Sequence, residues 1–445
     1  MKWPLVLSLG FAVGDASIVR ADGPPPIAPL LADPTLLATW LRDRDPVVDS
    51  ARHRTLVASE LSAQARVLPN PQVNLGAGGF VLGNTNSGSG APRDATPRLP
   101  LSQTTNFQLG IGELFEIGKR GPRRNAADLR ARAAGENAIG ALGARLGEAT
   151  ANLGKLAFVV ARRDVVAANL DAARKLRDLE KNRLDNKDLS ALEFARIELD
   201  TEELELQLGR SEAEVAGAVA ACSATLYAPC ASTGLSAATL DAGAQLPATL
   251  PDPGSAIEQR PARQAGRFEA TALDWDARLA HNRRIPDPTV GVSYLYDNLV
   301  VAGNQHQQLI FTLGFALPLF DRGDHDAAAA RANARAIEAE GRGLVREAAG
   351  LVEALLAQRA ALQTTLSRLE TEAVPKSTQI IAQTRKAFDL GQARLADLLL
   401  VERAHRDLLL EVLDTRFDLF TVRAQLRQAL GLDDQLARDV EGRQP

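Results

Sequence analysis

Long apolar runs are absent from this chain beyond its first twenty-odd residues, so no α-helix of the remainder is expected to cross a bilayer. Histidine is scarce and scattered: His53, His281, His306, His325 and His405 lie in unrelated segments, and methionine occurs once. A transition-metal site needs several such ligands converging, so no metal site is expected. Basic residues are not in excess, the net charge being -4, and this excludes the electrostatic footprint of a nucleic-acid binder. Clustered nucleophiles and glycine-rich phosphate loops are missing as well. The chain therefore offers no catalytic residues and no cofactor site, and it does not read as an enzyme.

Cysteine occurs twice, as Cys222 and Cys230 in ACSATLYAPC. This spacing in an exported chain is compatible with one disulfide closing a small loop. Export is suggested by MKWPLVLSLGFAVGDASIVRADG, where Lys2 precedes an apolar run and small residues follow at Ala16 and Ala21. Residues 1–21 read as a signal peptide; a disordered start is the other reading.

What the chain has in quantity is helix-forming sequence and two short alternating segments that occur twice. LPNPQVNLGAGGF (68–80) is matched later by IPDPTVGVSYLY (285–296). In each copy a helical stretch stops at two prolines, Pro69 and Pro71 or Pro286 and Pro288, because proline cannot continue the ladder. Alternation with a period of two follows, the mark of a half-buried strand. Val73, Leu75, Ala77, Phe107, Leu109 and Ile111 share one face in the first copy. Val290, Val292, Tyr294, Tyr296, Leu309, Phe311, Leu313 and Phe315 share it in the second. Asn74, Gly76, Asn106, Gln108, Gly110, Gly291, Ser293, Thr312 and Gly314 are small or polar and lie on the other. Strands of about 9 to 11 residues suffice to span a bilayer at a steep tilt.

After each hairpin comes a long helical stretch. Leu142, Leu146, Ala149, Leu153, Leu156 and Val160 step by four and three, the seam of a coiled coil. The helices turn back at Asn186, Lys187, Asp188 and Leu189, and again at Gly391, Gln392, Ala393 and Arg394. Asn186 and Gly391 are the expected left-handed residues. The predicted organisation is a first repeat over 34–228, with strands at 72–80 and 104–115 and helices at 122–184 and 189–228. An irregular connection spans 229–254. A second repeat covers 255–433, with strands at 289–298 and 307–317 and helices at 324–388 and 392–431, and 434–445 forms a C-terminal tail. Four strands cannot close a barrel, and an open edge is not tolerated in lipid. Three copies would supply twelve strands and a conducting pore.

These segments resemble the outer membrane efflux protein family, whose best-known member is TolC. GELFEIGKRGPRRNAA (112–127) is similar to its heavy-metal branch, the CzcC type; LPLFDRGD (317–324), EQRPARQA (258–265) and LGQARLADLLLVERA (390–404) resemble further family segments. The resemblance implies a mostly α fold with a membrane β-barrel: a homotrimer in the outer membrane, four strands per chain, continued by a coiled-coil tunnel in the periplasm. It implies a passive exit duct of a tripartite pump, partnered by a periplasmic adaptor, an inner-membrane transporter of the RND type and outer-membrane lipid, with cobalt, zinc, cadmium or copper as cargo. Drug or solvent efflux and type I secretion use the same fold. A soluble coiled-coil scaffold or adaptor is the alternative of another class. By the same resemblance Asp397 matches the first acidic position constricting the channel entrance, while the next falls on Leu400. The two helical turns would meet the adaptor. The cluster Lys119, Arg120, Arg123 and Arg124 faces either lipid headgroups or solvent.

Overall fold

The computed structural model describes residues 26–78, 105–298 and 306–442. The expected signal peptide and the Gly/Ser-rich segment after residue 78 lie outside them. Four strands form one antiparallel sheet in the order β1 (Gln72–Gly78), β2 (Asn106–Leu114), β3 (Pro288–Asp297), β4 (Gln307–Phe315). The registers keep the two faces distinct. Leu75 stands opposite Leu109, Leu109 opposite Tyr294 and Tyr294 opposite Leu309, while Gly110 stands opposite Asn74 and Ser293. Pro288 opens β3, a position at which its missing amide costs nothing.

Short helices α1 (Ile27–Ala32), α2 (Pro34–Arg44) and α3 (Pro46–Gln64) precede β1. Helix α4 (Arg120–Asp185) runs 66 residues without a break, and α5 is Ala191–Leu226. The connection between the repeats carries α6 (Ala237–Ala242) and α7 (Pro253–Glu258), and α8 (Pro261–His281) leads to β3. After β4 come α9 (Asp324–Arg368), α10 (Val374–Asp389), α11 (Leu395–Ala429) and α12 (Leu432–Gly442).

Three expectations need correction. The helix predicted over 324–388 is interrupted by a π-helical turn at Leu369–Ala373. Pro375 lies just beyond it; its ring crowds the carbonyl four residues back and it has no N–H to donate, and the wider turn relieves both. The left-handed residue of the first turn is Lys187 (φ 64), not Asn186. Asp188 N–H donates to Arg183 O and Lys187 N–H to Leu184 O, so Lys187 is the residue just past the cap of a Schellman ending. Gly391 (φ 71) ends α10 in the same way, with Gln392 N–H to Ala387 O and Gly391 N–H to Phe388 O. The partner of Gly391 is therefore Lys187. Lastly, the residues set apart as a tail form α12, which buries Ala437 and Val440.

The chain divides into two compact units that do not follow the repeats. One comprises residues up to 37, 148–245 and 362–421; the other comprises 38–147, 246–361 and 422 onward. In the first, Phe420 is fully buried and a Cβ at Gly154 would overlap its ring, so only glycine fits there. Phe158 stacks on Phe417 at 4.3 Å. Near the turns, Leu176 of α4, Ile197 of α5, Phe388 of α10 and Leu395 and Leu398 of α11 close one apolar cluster. In the second unit Ala277, Ala280 and Ala327 join α8 to α9. Gly323 (φ 74) sits so close to Ala280 O that no side chain could replace its hydrogen.

Candidate functional site

The alternating strands place their large apolar residues where none of the other described residues covers them. Leu75 is 80 % and Phe311 78 % exposed, and Val73, Phe107, Leu109, Leu309 and Leu313 are also open. An apolar sheet face of this extent marks a surface meant for lipid or another apolar partner. On the opposite face Gly110, Gly112 and Ser293 are buried among neighbours, and Gln108 Nε2 donates to Ser293 Oγ at 3.0 Å. Leu295 and Ile310 interrupt this polar face, and Glu113 lies on the apolar one at the end of β2. Among the described residues, β1 and β4 have a neighbour on one side only.

Where strands give way to helices, charges are paired rather than free. Asp287, the middle residue of the second Pro-Asp-Pro step, accepts from Ile117 N–H at 3.0 Å and from Lys119 Nζ at 2.6 Å. Arg123 forks onto Glu116, Arg120 donates to Arg66 O at 2.7 Å, and Arg283 and Arg284 pair with Asp326 and Asp324. Thus Lys119 and Arg123 of the predicted basic cluster are engaged within the chain, and Arg124 is the exposed member. The sequence signal for this collar was the change from Asn70 in the first copy to Asp287 in the second.

At the helical turns, Asn186, Lys187, Asp188, Gly391, Gln392 and Arg394 are exposed, Ala393 is half-buried, and Leu189 is buried. Asp397 is exposed at the third position of α11, and its carboxylate accepts from Arg394 N–H at 3.3 Å. Glu193 does the same for Ser190 in a full capping box. Its carboxyl is held below the usual range first by the Ser190 hydroxyl, then by the Ser190 N–H. Asp397 and Glu193 are thus equivalent cap residues of the two copies, a second task for Asp397 that local spacing could have disclosed.

Two polar clusters were missed because their members are far apart in sequence. In the first unit, buried Asp200 accepts from Arg406 at 2.8 and 3.1 Å and from Arg403 at 3.1 Å. Burial raises the pKa of Glu402 beside it and lowers that of His405, whose Nδ1 lies 2.7 Å from Ser377 Oγ. In the second unit Asp434 faces Arg260 Nε at 3.6 Å in a cavity of about 280 Å³ that Glu136 and Arg438 also line. Burial pushes Asp434 up to about 6 against the attraction of Arg260.

That value lies above the unfolded one near 4, so between about pH 4 and 6 the folded chain holds a proton the unfolded chain has lost. Stability from this group therefore falls as pH rises through that window and is level above it. The whole effect is on the order of 2–3 kcal/mol. Asp434→Asn is expected to flatten the decline, so that its melting temperature drops less than that of the wild type between pH 4.5 and 7.5. Parallel melting curves at the two pH values would contradict this.

Among the described residues no group of three or more His, Cys, Asp or Glu is placed to hold a metal ion. His306 Nδ1 lies 2.9 Å from Asp297 O, and its ring stacks on Tyr296. Cys222 and Cys230 are joined, with their Cα atoms 6.0 Å apart. No described helix is long and apolar enough to cross a membrane.

Residues 253–432 match the family model for outer membrane efflux proteins. Among solved structures, CusC, described for the conformational changes accompanying folding and transmembrane channel formation, superposes with a TM-score of 0.73 at 16 % identity. The match covers 89 % of this chain and 91 % of that one. VceC from Vibrio cholerae gives 0.68 at 19 % identity over 89 % and 96 % of the two chains. The open state of the MtrE outer membrane channel of Neisseria gonorrhoeae gives 0.70 at 17 % over 91 % and 89 %. No curated protein matches the chain in sequence. The second repeat thus carries the signature of outer membrane efflux proteins, and the chain along both repeats has the fold of these solved outer membrane channels.

Proposed function

We propose that the chain is the exit duct of a tripartite efflux system, three copies closing a twelve-stranded barrel in the outer membrane above a helical periplasmic tunnel. The observation that carries this reading is the four-stranded sheet with one exposed apolar face and two free edges. In lipid each free edge needs a partner, and only more copies supply one. Two copies would give eight strands, whose interior fills with side chains, whereas twelve leave a lumen. Residues 1–21 act as the export signal, and the repeats 34–228 and 255–433 each contribute one hairpin and one helical pair. An RND-type transporter feeds the duct through an adaptor that meets Asn186 to Leu189 and Gly391 to Arg394. Heavy-metal cations are the favoured cargo, supported by the sequence GKRGPRR after β2.

Asp397 supplies the carboxylate ring at the entrance, where three like charges concentrate cations. Asp397→Asn keeps an oxygen to cap α11 and removes the charge, so it separates the two tasks. In planar bilayers the wild type is expected to conduct and to be blocked by multivalent cations, and the variant to be blocked several-fold less. Equal block would remove Asp397 from the conduction path, and absence of conductance would remove the duct. Deletion of the gene, followed by growth on zinc, cobalt, cadmium and copper beside drugs, decides the cargo: unchanged metal tolerance with lost drug tolerance overturns the metal assignment.

A further inference from the structure

The two repeats are joined side by side within the chain by β2 and β3, and the same junction should recur between chains. β2 and β4 correspond through FQLG (107–110) and FTLG (311–314), and β1 and β3 through PNPQV (69–73) and PDPTV (286–290). The β2–β3 register is therefore a template for the seam between β4 of one copy and β1 of the next. Gly110 stands opposite Ser293, Ile111 opposite Val292 and Leu109 opposite Tyr294. Carried over through the two correspondences, these pairs become Gly314 with Gly76, Phe315 with Leu75, and Leu313 with Ala77.

We infer that copies of this chain join through β4 and β1 in that one register, Leu313 against Ala77 and Phe315 against Leu75. The inference rests on the duct reading and names its contact.

Two independent features agree with it. The side-chain faces match, since both apolar pairs fall on the exposed face and Gly314 with Gly76 on the small-residue face; a slip of one residue would invert every pair. The geometry also closes. A row drawn across the sheet from Gln72 passes Gly112, Gly291 and Thr312, and by the same correspondence meets the neighbour's Gly78. Each copy thus advances the row by six residues along β1. With about 3.3 Å per residue and 4.8 Å between strands, that stagger tilts the strands by roughly 45°, the upper part of the range for membrane barrels. The next register that keeps the faces, with a stagger of four, gives roughly 35°, so the two must be told apart by experiment.

Cysteine pairs do this in the full-length protein, because directly opposed residues come within disulfide reach and diagonal neighbours do not. Cys222 and Cys230 are already joined to each other. Leu75→Cys with Phe315→Cys, and Ala77→Cys with Leu313→Cys, are expected to oxidise to a covalent three-copy species on a denaturing gel. Leu75→Cys with Leu313→Cys, and Val73→Cys with Phe315→Cys, report the other register and should cross-link at least tenfold more slowly. Since β1 and β4 are opposite edges of one sheet, any link joins two chains. Faster linking of the second set overturns the register. Absence of linking in every pair, while native mass spectrometry counts three copies, overturns the seam and leaves the duct standing. A single-copy mass overturns both.

Discussion

Phe311→Arg is expected to abolish the assembled protein in the outer membrane. Phe311 is the middle residue of β4 and lies on the exposed apolar face, so in the proposed barrel a guanidinium there would meet the centre of the bilayer. Such a charge costs about 2–4 kcal/mol per strand position, and three symmetric copies multiply it. Thr312→Arg, one residue on, points to the small-residue face and should leave the trimer intact while changing ion selectivity. The measurement is the yield of heat-modifiable trimer from isolated outer membranes. Equal trimer yields for both variants would mean that the apolar face does not meet lipid.

The second large effect is expected at Asp200. Its side chain is 8 % exposed and holds Arg406, itself 12 % exposed, together with Arg403. Asp200→Ala strands a buried guanidinium, and breaking such a pair costs about 3–5 kcal/mol. Glu402 lies close enough for its charge to be felt at Arg406, and in the variant it can take part of the role, which puts the loss near the lower figure. Replacing both partners, as in Asp200→Leu with Arg406→Met, should recover most of the stability, because a well-packed apolar pair needs no compensation. Urea unfolding of the two single variants and the double variant completes the cycle. Additive losses would show that the pair is not coupled. The same contacts hold α5 to α11 just above the helical turns, so the single variant is also expected to make those turns more accessible to protease.

Local rules carried most of the architecture. A period of two in Val73, Leu75 and Ala77 fixes both a strand and its face, because successive side chains of an extended chain point to opposite sides. Four-three spacing from Leu142 to Val160 fixes a helix and its buried seam, and all six of those residues are buried. Paired prolines fix where one ends and the other begins. The left-handed turn was legible in kind but displaced by one residue, since the hydrogen bonds that end α4 select the residue after its cap whatever its type, and Lys187 takes the strained conformation. The family resemblance suggested one task for Asp397, and the fold adds capping, since its carboxylate accepts from Arg394 N–H.

The sequence by itself determined the elements, their order, the two faces of the sheet and the duplication, all set by neighbours a few residues apart. Tertiary structure decided the pairings over long separations: Lys119 with Asp287, Asp200 with Arg406, Arg260 with Asp434, and β2 beside β3. No local periodicity encodes which charge meets which, because each pairing exists only after separate elements have packed. Among the described residues the outer edges of β1 and β4 are paired by no other strand of the chain, so in the proposed duct their hydrogen-bonding groups are completed by another copy.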